Sequence, residues 1–349
     1  MARTTEALDY NALRRTLKEN GPARLYMLWG AEDYLAARFS EEIRRSCLGA
    51  DSGAFDLKRL EGPTPAVQDV ADALEAMPFF GGRTCVELHR VSVNEYKEAD
   101  AGRLCELFSD IPEWCTVVIT LPEGVTPDGR RALTRQIKKS GIALEFAARP
   151  ENEIFNWLQR RFADQGKRIG RAEMERLVFL SGNLMNRLIP EINKLCTYAQ
   201  GESITLSDIN AVAHHLPEAD VFEMTDALAA GNTDRAAALL AELLAGGEEP
   251  IMLTAIIGAQ MRRLYAVKLS QEKRLGSGWA EQVTGQRSFM IRRLEQTARS
   301  FSLRALRENV RLCAQTDYRL KSETSVTAPS ALIEELLVRL AMNRSHAAR

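Results

Sequence analysis

Strand and helix signals alternate along the first 148 residues of this chain, and then the strand signal stops. Ala23–Gly30 is a short apolar run ending in glycine, and a helix carrying Tyr34, Leu35, Phe39 and Ile43 follows it. Ala54–Leu60 reads as a second strand, with alternation of Phe55, Leu57 and Arg59. Thr84–Leu88, Cys115–Leu121 and Ile142–Phe146 complete the set, with helices at Val70–Met77, Gly102–Phe108 and Arg130–Lys139 between them. An opening helix, Glu6–Glu19, precedes the first strand and ends at the stop signal Asn20-Gly21-Pro22. Strands joined by helices predict a parallel α/β sheet covered on both faces.

Beyond Pro150 the patterning is helical. Glu153–Gln165, Arg171–Ser181 and Leu184–Ala199 are short amphipathic helices, with Pro190 inside the third. Thr205 and Asp208 then fit a capping box, in which a hydroxyl and a carboxylate satisfy each other's free amides. His214-His215 closes this small module and, with no third ligand in view, reads as surface or packing. Pro217 marks the next boundary, followed by helical patterns at Phe222–Ala230, Thr233–Ala245, Pro250–Leu269, Ser288–Arg299, Ser302–Lys321 and Pro329–Met342. The steps of three and four along Leu303, Leu306, Val310, Cys313, Asp317 and Leu320 form a seam for antiparallel neighbours, with Asp317 near its end and Lys321 one turn on. The last helix carries a broad stripe (Leu332, Ile333, Leu336, Leu337, Leu340, Ala341) that needs cover on two sides, within a bundle or between subunits. Ser270–Gln286 reads as a loop around one weak helix. The expected division is 1–148 for the α/β domain, 149–216 for the small helical domain and 217–349 for a helical bundle.

The 349 residues, 45% hydrophobic and 27% charged, are those of an ordinary globular chain of two or three domains. No apolar run reaches the roughly 18 residues of a membrane span, and Met1–Glu6 lacks the apolar core of a signal peptide. The six cysteines are scattered without a CxxC pair, as expected of reduced thiols in a cytoplasmic protein. A net charge of -1 conceals an asymmetry: Arg262–Lys321 holds fourteen Lys/Arg against five Asp/Glu, a local +9. Such a segment attracts a polyanion or is simply a solvated helical face. Within it, Arg292, Arg293, Arg304, Arg307 and Arg311 are the candidate DNA-facing residues.

A parallel sheet whose first strand ends in glycine invites a search for a phosphate loop. The P-loop needs G-x-x-x-x-G-K-[ST], whose amides and lysine neutralise phosphate. Here Gly30–Ala37 has no second glycine, lysine or hydroxyl, and Glu32 and Asp33 add repulsive charge. The strand at Val117–Leu121 leads only to Glu123, not to an acidic pair. With four histidines, two of them adjacent, and no G-x-S-x-G elbow, a nucleophilic triad finds no support either. No catalytic site, cofactor or metal is expected, which points to a binding or mechanical role.

One stretch offers a binding feature. Val70, Ala73, Leu74 and Met77 share a helix face, Pro78 ends that helix, and Phe79-Phe80 precede Gly81-Gly82. The glycines allow a sharp turn, leaving a knuckle with Met77, Phe79 and Phe80 at its tip. Either the rings plug back into their own core or they anchor another protein, since interface energy concentrates in a few aromatic side chains.

The run Leu25–Leu35 (LYMLWGAEDYL) resembles the opening signature of the bacterial DNA polymerase III delta subunit family. Asn156-Trp157-Leu158, Gly182-Asn183-Leu184, Glu191–Leu195 and Thr316–Lys321 lie in matching order, while Pro190 departs from the pattern. The resemblance covers essentially the whole chain. It implies an AAA+-like α/β domain without a working P-loop, a helical lid and a helical collar. It also implies a clamp-loader subunit that binds the sliding clamp (the beta subunit) and opens its ring for loading on primed DNA. ATP would be handled by sister ATPase subunits in a hetero-pentamer with a delta-prime subunit, in the cytoplasm at the replication fork. The chain would then belong to a nucleotidyltransferase holoenzyme without catalysing anything itself. By position, Phe79 and Phe80 become the clamp-binding pair, with Leu74 and Met77 supporting. The rival expectations are a degenerate P-loop ATPase, which would bind ATP, and a DNA-binding adaptor, whose affinity would fall steeply with salt.

Overall fold

The apolar runs form one parallel sheet in the computed structural model of the chain. Its strands are β1 (Leu25–Trp29), β2 (Leu57–Glu61), β3 (Thr84–His89), β4 (Cys115–Thr120) and β5 (Ile142–Glu145). They stand in the order β2-β3-β4-β1-β5. β1 is flanked on both sides, with Tyr26 in register with Val118 of β4 and with Ile142 of β5. Every residue of β1 is buried, which is why its sequence is continuously apolar rather than alternating. The structure describes residues 10–48, 54–79, 82–322 and 328–344. These divide into one unit of residues 1–154 with 183–189 and a second of residues 155–182 with 190–349.

In the first unit the strands are separated by α2 (Asp33–Leu48), α3 (Val67–Glu75), α4 (Glu98–Ser109) and α5 (Ala132–Ser140), after α1 (Tyr10–Asn20). The start of the opening helix, before Tyr10, lies outside the described residues. Val70, Ala73 and Leu74 of α3 join Leu25, Val86 and Val117 in one apolar core. The strand expected over Ala54–Leu60 is corrected at its beginning. Residues Ala54–Asp56 make a turn of 3₁₀ helix, and the edge strand β2 starts only at Leu57. Phe55 therefore lies outside the strand in which the alternation placed it, and it stands 69% exposed.

The second unit is helical apart from two short strands that the sequence does not announce, β6 (Arg168–Ile169) and β7 (Ser203–Ile204), paired in parallel. Its strands are accompanied by α7 (Arg171–Ser181), α9 (Leu206–Val212) and the later parts of α6 (Glu151–Asp164) and α8 (Met185–Tyr198), whose first residues, up to 154 and 185–189, belong to the first unit. α8 runs through Pro190. The box that caps α9 forms as its sequence requires, Thr205 Oγ1 accepting from the Asp208 amide and Asp208 from that of Thr205. The remaining helices are α10 (Pro217–Ala230), α11 (Thr233–Ala245), α12 (Pro250–Lys273), α13 (Ser277–Thr284), α14 (Ser288–Arg299), α15 (Leu303–Ser322) and α16 (Pro329–Arg344). α10 begins five residues earlier than its apolar pattern because Pro217 occupies its first position, where a missing N–H costs nothing. α12 touches α10, α13, α14, α15 and α16, and so is apolar around much of its circumference. The broad stripe of α16 is covered inside this bundle: Ile333, Leu336, Leu337 and Leu340 all lie in its core. Asp317, at the end of the α15 seam, accepts from Lys321 at 2.8 Å.

Candidate functional site

The knuckle is built from three segments of the first unit. α3 buries Val67, Val70, Ala73 and Leu74 against the sheet, so its position is fixed by the core. Ala76 leaves the helix in an extended conformation, and Met77 after it is the residue that Pro78 keeps out of the helical region. The Ala76 carbonyl accepts from Thr84 Oγ1 at 2.9 Å, tying the helix end to the start of β3. Gly82 takes a positive φ of 93°, the conformation a side chain would resist, on the way back to the sheet.

Between those fixed ends Met77 and Phe79 are 75% and 76% exposed. Phe79 does not turn back into its own core. Leu74, by contrast, is 2% exposed and lies beneath the tip, where it can support but not touch a partner. Phe80 and Gly81 lie outside the described residues.

Two further residues at the tip come from the 3₁₀ turn before β2, and sequence reading missed both. The Phe79 amide donates to Asp56 Oδ1 at 2.6 Å, and Asp56 is itself 2% exposed. The Phe55 ring lies against that of Phe79, centroids 6.0 Å apart and planes at 31°. No local signal marks them, because a Phe-Asp pair opening a strand is ordinary and its partner is more than twenty residues away.

The glycine closing β1 serves the fold. A Cβ on Gly30 would sit 2.4 Å from the Phe146 carbonyl oxygen, so only glycine lets the end of β5 approach the turn. The Glu32 amide donates to that same carbonyl at 2.9 Å. Glu32, 1% exposed, accepts from the Met185 amide. Burial, reinforced by the Glu123 carboxylate, pushes the Asp33 carboxyl above its usual range. The turn is thus closed by its own chain, with the Phe146 backbone where a side chain on Gly30 would lie.

The five candidate arginines of the basic segment separate into two groups. Arg293 is committed inside the second unit: it donates twice to Asp226, at 2.9 and 2.8 Å, and its guanidinium lies 4.1 Å from the Phe179 ring and 5.0 Å from that of Phe222. Arg292, on the same helix, reaches Glu175 at 3.9 Å. Arg304, Arg307 and Arg311 project from α15 and are exposed, Arg311 lying 3.8 Å from Glu308. Of the paired histidines, His215 Nδ1 lies 2.9 Å from Asp220 Oδ1, and the His214 amide donates to Glu191. Both serve packing.

The chain is similar to known proteins along most of its length. The family model described as DNA polymerase III, delta subunit, matches residues 26–147. A second model, DNA polymerase III delta subunit, C-terminal domain, matches residues 218–340. The chain is 27% identical to DNA polymerase III subunit delta of Bacillus subtilis over 333 residues, 93% of this chain and 95% of that one. It is 29% identical to a probable DNA polymerase III subunit delta of Aquifex aeolicus over 116 residues, 33% of each chain. A solved DNA clamp loader delta protein of Bacillus subtilis shares the fold, with a TM-score of 0.55 at 24% identity, covering 96% of this chain and all of the other. Two models of one family, together spanning both ends of the chain, and a relative matched along nearly its full length establish that the chain belongs to the DNA polymerase III delta subunit family.

Proposed function

We propose that this chain is the subunit of a replicative clamp loader that grips and opens the sliding clamp. The observation that carries this reading is the exposed tip of Phe79 and Met77, held on a buried helix end and pinned through its backbone to Asp56. A soluble surface rarely holds large apolar side chains this far out without a partner for them. Phe80 completes the pair by sequence. A pocket on the clamp that takes both rings gains about 1.5–3 kcal/mol for each aromatic fully buried. Opening follows if the tip prefers a distorted clamp protomer to the relaxed one, because only such differential affinity shifts the ring.

In this reading residues 1–148 carry the tip, 149–216 form the lid and 217–349 form the collar that joins sister ATPase and delta-prime subunits. The filled turn at Gly30 leaves ATP to those sisters. The exposed face of α15 with Arg304, Arg307 and Arg311 offers a phosphate-attracting surface for primed DNA. Arg293 has no place in that surface, because its fork is held by Asp226. No helix among the described residues is long and apolar enough to cross a membrane. The test is release of clamp rings from nicked circular DNA: the full chain should accelerate their loss, and a Phe79→Ala/Phe80→Ala variant should not. Equal acceleration by both proteins would refute the assignment.

A further inference from the structure

We propose that the clamp-docking tip is composite: Phe55 enters the partner's apolar groove beside Phe79, and Asp56 is the positioning residue that fixes both. This rests on the reading that the tip docks on the clamp, and it adds residues from a segment separate in sequence. With ring centroids 6.0 Å apart and both rings more than two-thirds exposed, a groove that encloses Phe79 must also receive Phe55 or push it aside. Met77, 75% exposed, is a flexible neighbour on the same knuckle. Phe55 does not act as a cover for Phe79, because Phe79 keeps 76% of its surface in solvent while the two are in contact.

Asp56 gives this pair its fixed geometry. It adjoins Phe55 in the chain, is buried, and receives the Phe79 amide at 2.6 Å from twenty-three residues away. One carboxylate therefore joins the 3₁₀ turn before β2 to the knuckle after α3. Fixing two anchors before contact removes ordering cost from association, so the same apolar area yields tighter binding.

The experiment measures the affinity of the full chain for the purified sliding clamp. Phe79→Ala tests the tip itself, and Phe55→Ala tests the composite. Both should weaken binding by about tenfold or more, as truncation of a central aromatic anchor does. Phe55→Leu, which keeps apolar bulk, should recover part of the loss. Phe55→Ala at wild-type affinity or tighter, alongside a weakened Phe79→Ala, would overturn the composite site and leave the tip standing. Wild-type affinity in both would remove the tip reading and this inference together. For Asp56, Asp56→Asn keeps an acceptor oxygen and should bind within about threefold of wild type, while Asp56→Ala should lose about tenfold. Equal affinity of those two variants would overturn the positioning role. Circular dichroism on each variant separates lost affinity from lost fold.

Discussion

Replacing Arg293 with alanine removes a clamp between two helices, and the structure sets the size of the effect. Arg293 of α14 forms a two-pronged ion pair with Asp226 of α10. A charge-assisted bond of this kind contributes about 1.5–3 kcal/mol when buried. Here the side chains are 31% and 30% exposed, so solvent screening moves the value towards the lower end. The guanidinium over Phe179 and Phe222 adds about 0.5–1 kcal/mol. Asp226 keeps a donor in Thr297 Oγ1, which limits the cost of losing its cation. The expected loss for Arg293→Ala is therefore about 2–3 kcal/mol, read as a lower urea midpoint by circular dichroism. Arg293→Lys retains charge without the planar fork and should fall between the two. Arg304→Ala and Arg307→Ala, on the exposed face of α15, should stay within about 0.5 kcal/mol of wild type. A midpoint for Arg293→Ala equal to theirs would refute the pairing and return Arg293 to the DNA-facing set.

Two further outcomes follow from the first unit and the cysteines. Gly30→Ala should cost at least about 3 kcal/mol in urea unfolding, because its Cβ would meet backbone at 2.4 Å in a conformation only glycine adopts readily. Gly21→Ala, also at positive φ but in open space, should cost only about 1 kcal/mol. Burial pushes the thiols of Cys115 and Cys313 up to about 12 from an ordinary 9.0, so the folded state holds protons that the unfolded chain releases. Stability should be level below pH about 9 and decline from there towards 12, measured by thermal unfolding across that range. Both thiols should resist alkylation at pH 8 until the chain unfolds.

The sheet was legible because β1 and β4 are buried on both faces, which forces a continuous apolar run into the sequence. The capping box at Thr205 and the α15 seam were legible because each rests on residues spaced only three or four positions apart. What failed depends on distance along the chain. The basic segment could be counted, but only the fold reveals that Arg293 meets Asp226 sixty-seven residues away while Arg304 meets solvent. The two-residue ladder of β6 and β7 is too short to leave a period. At the tip, Pro78 between a helix and exposed aromatics announced the knuckle, whereas Phe55 was hidden in a pattern that matched a strand.

The account's central claim is that Phe79 and Phe80 carry the grip on the clamp, and one dissociation constant tests it. With purified clamp, Phe79→Ala/Phe80→Ala should bind at least about a hundredfold more weakly than wild type, the loss expected for two buried aromatics. Its circular dichroism and urea midpoint should match the parent, since Phe79 packs outside the core. A folded double variant that binds the clamp as tightly as the parent would contradict the claim.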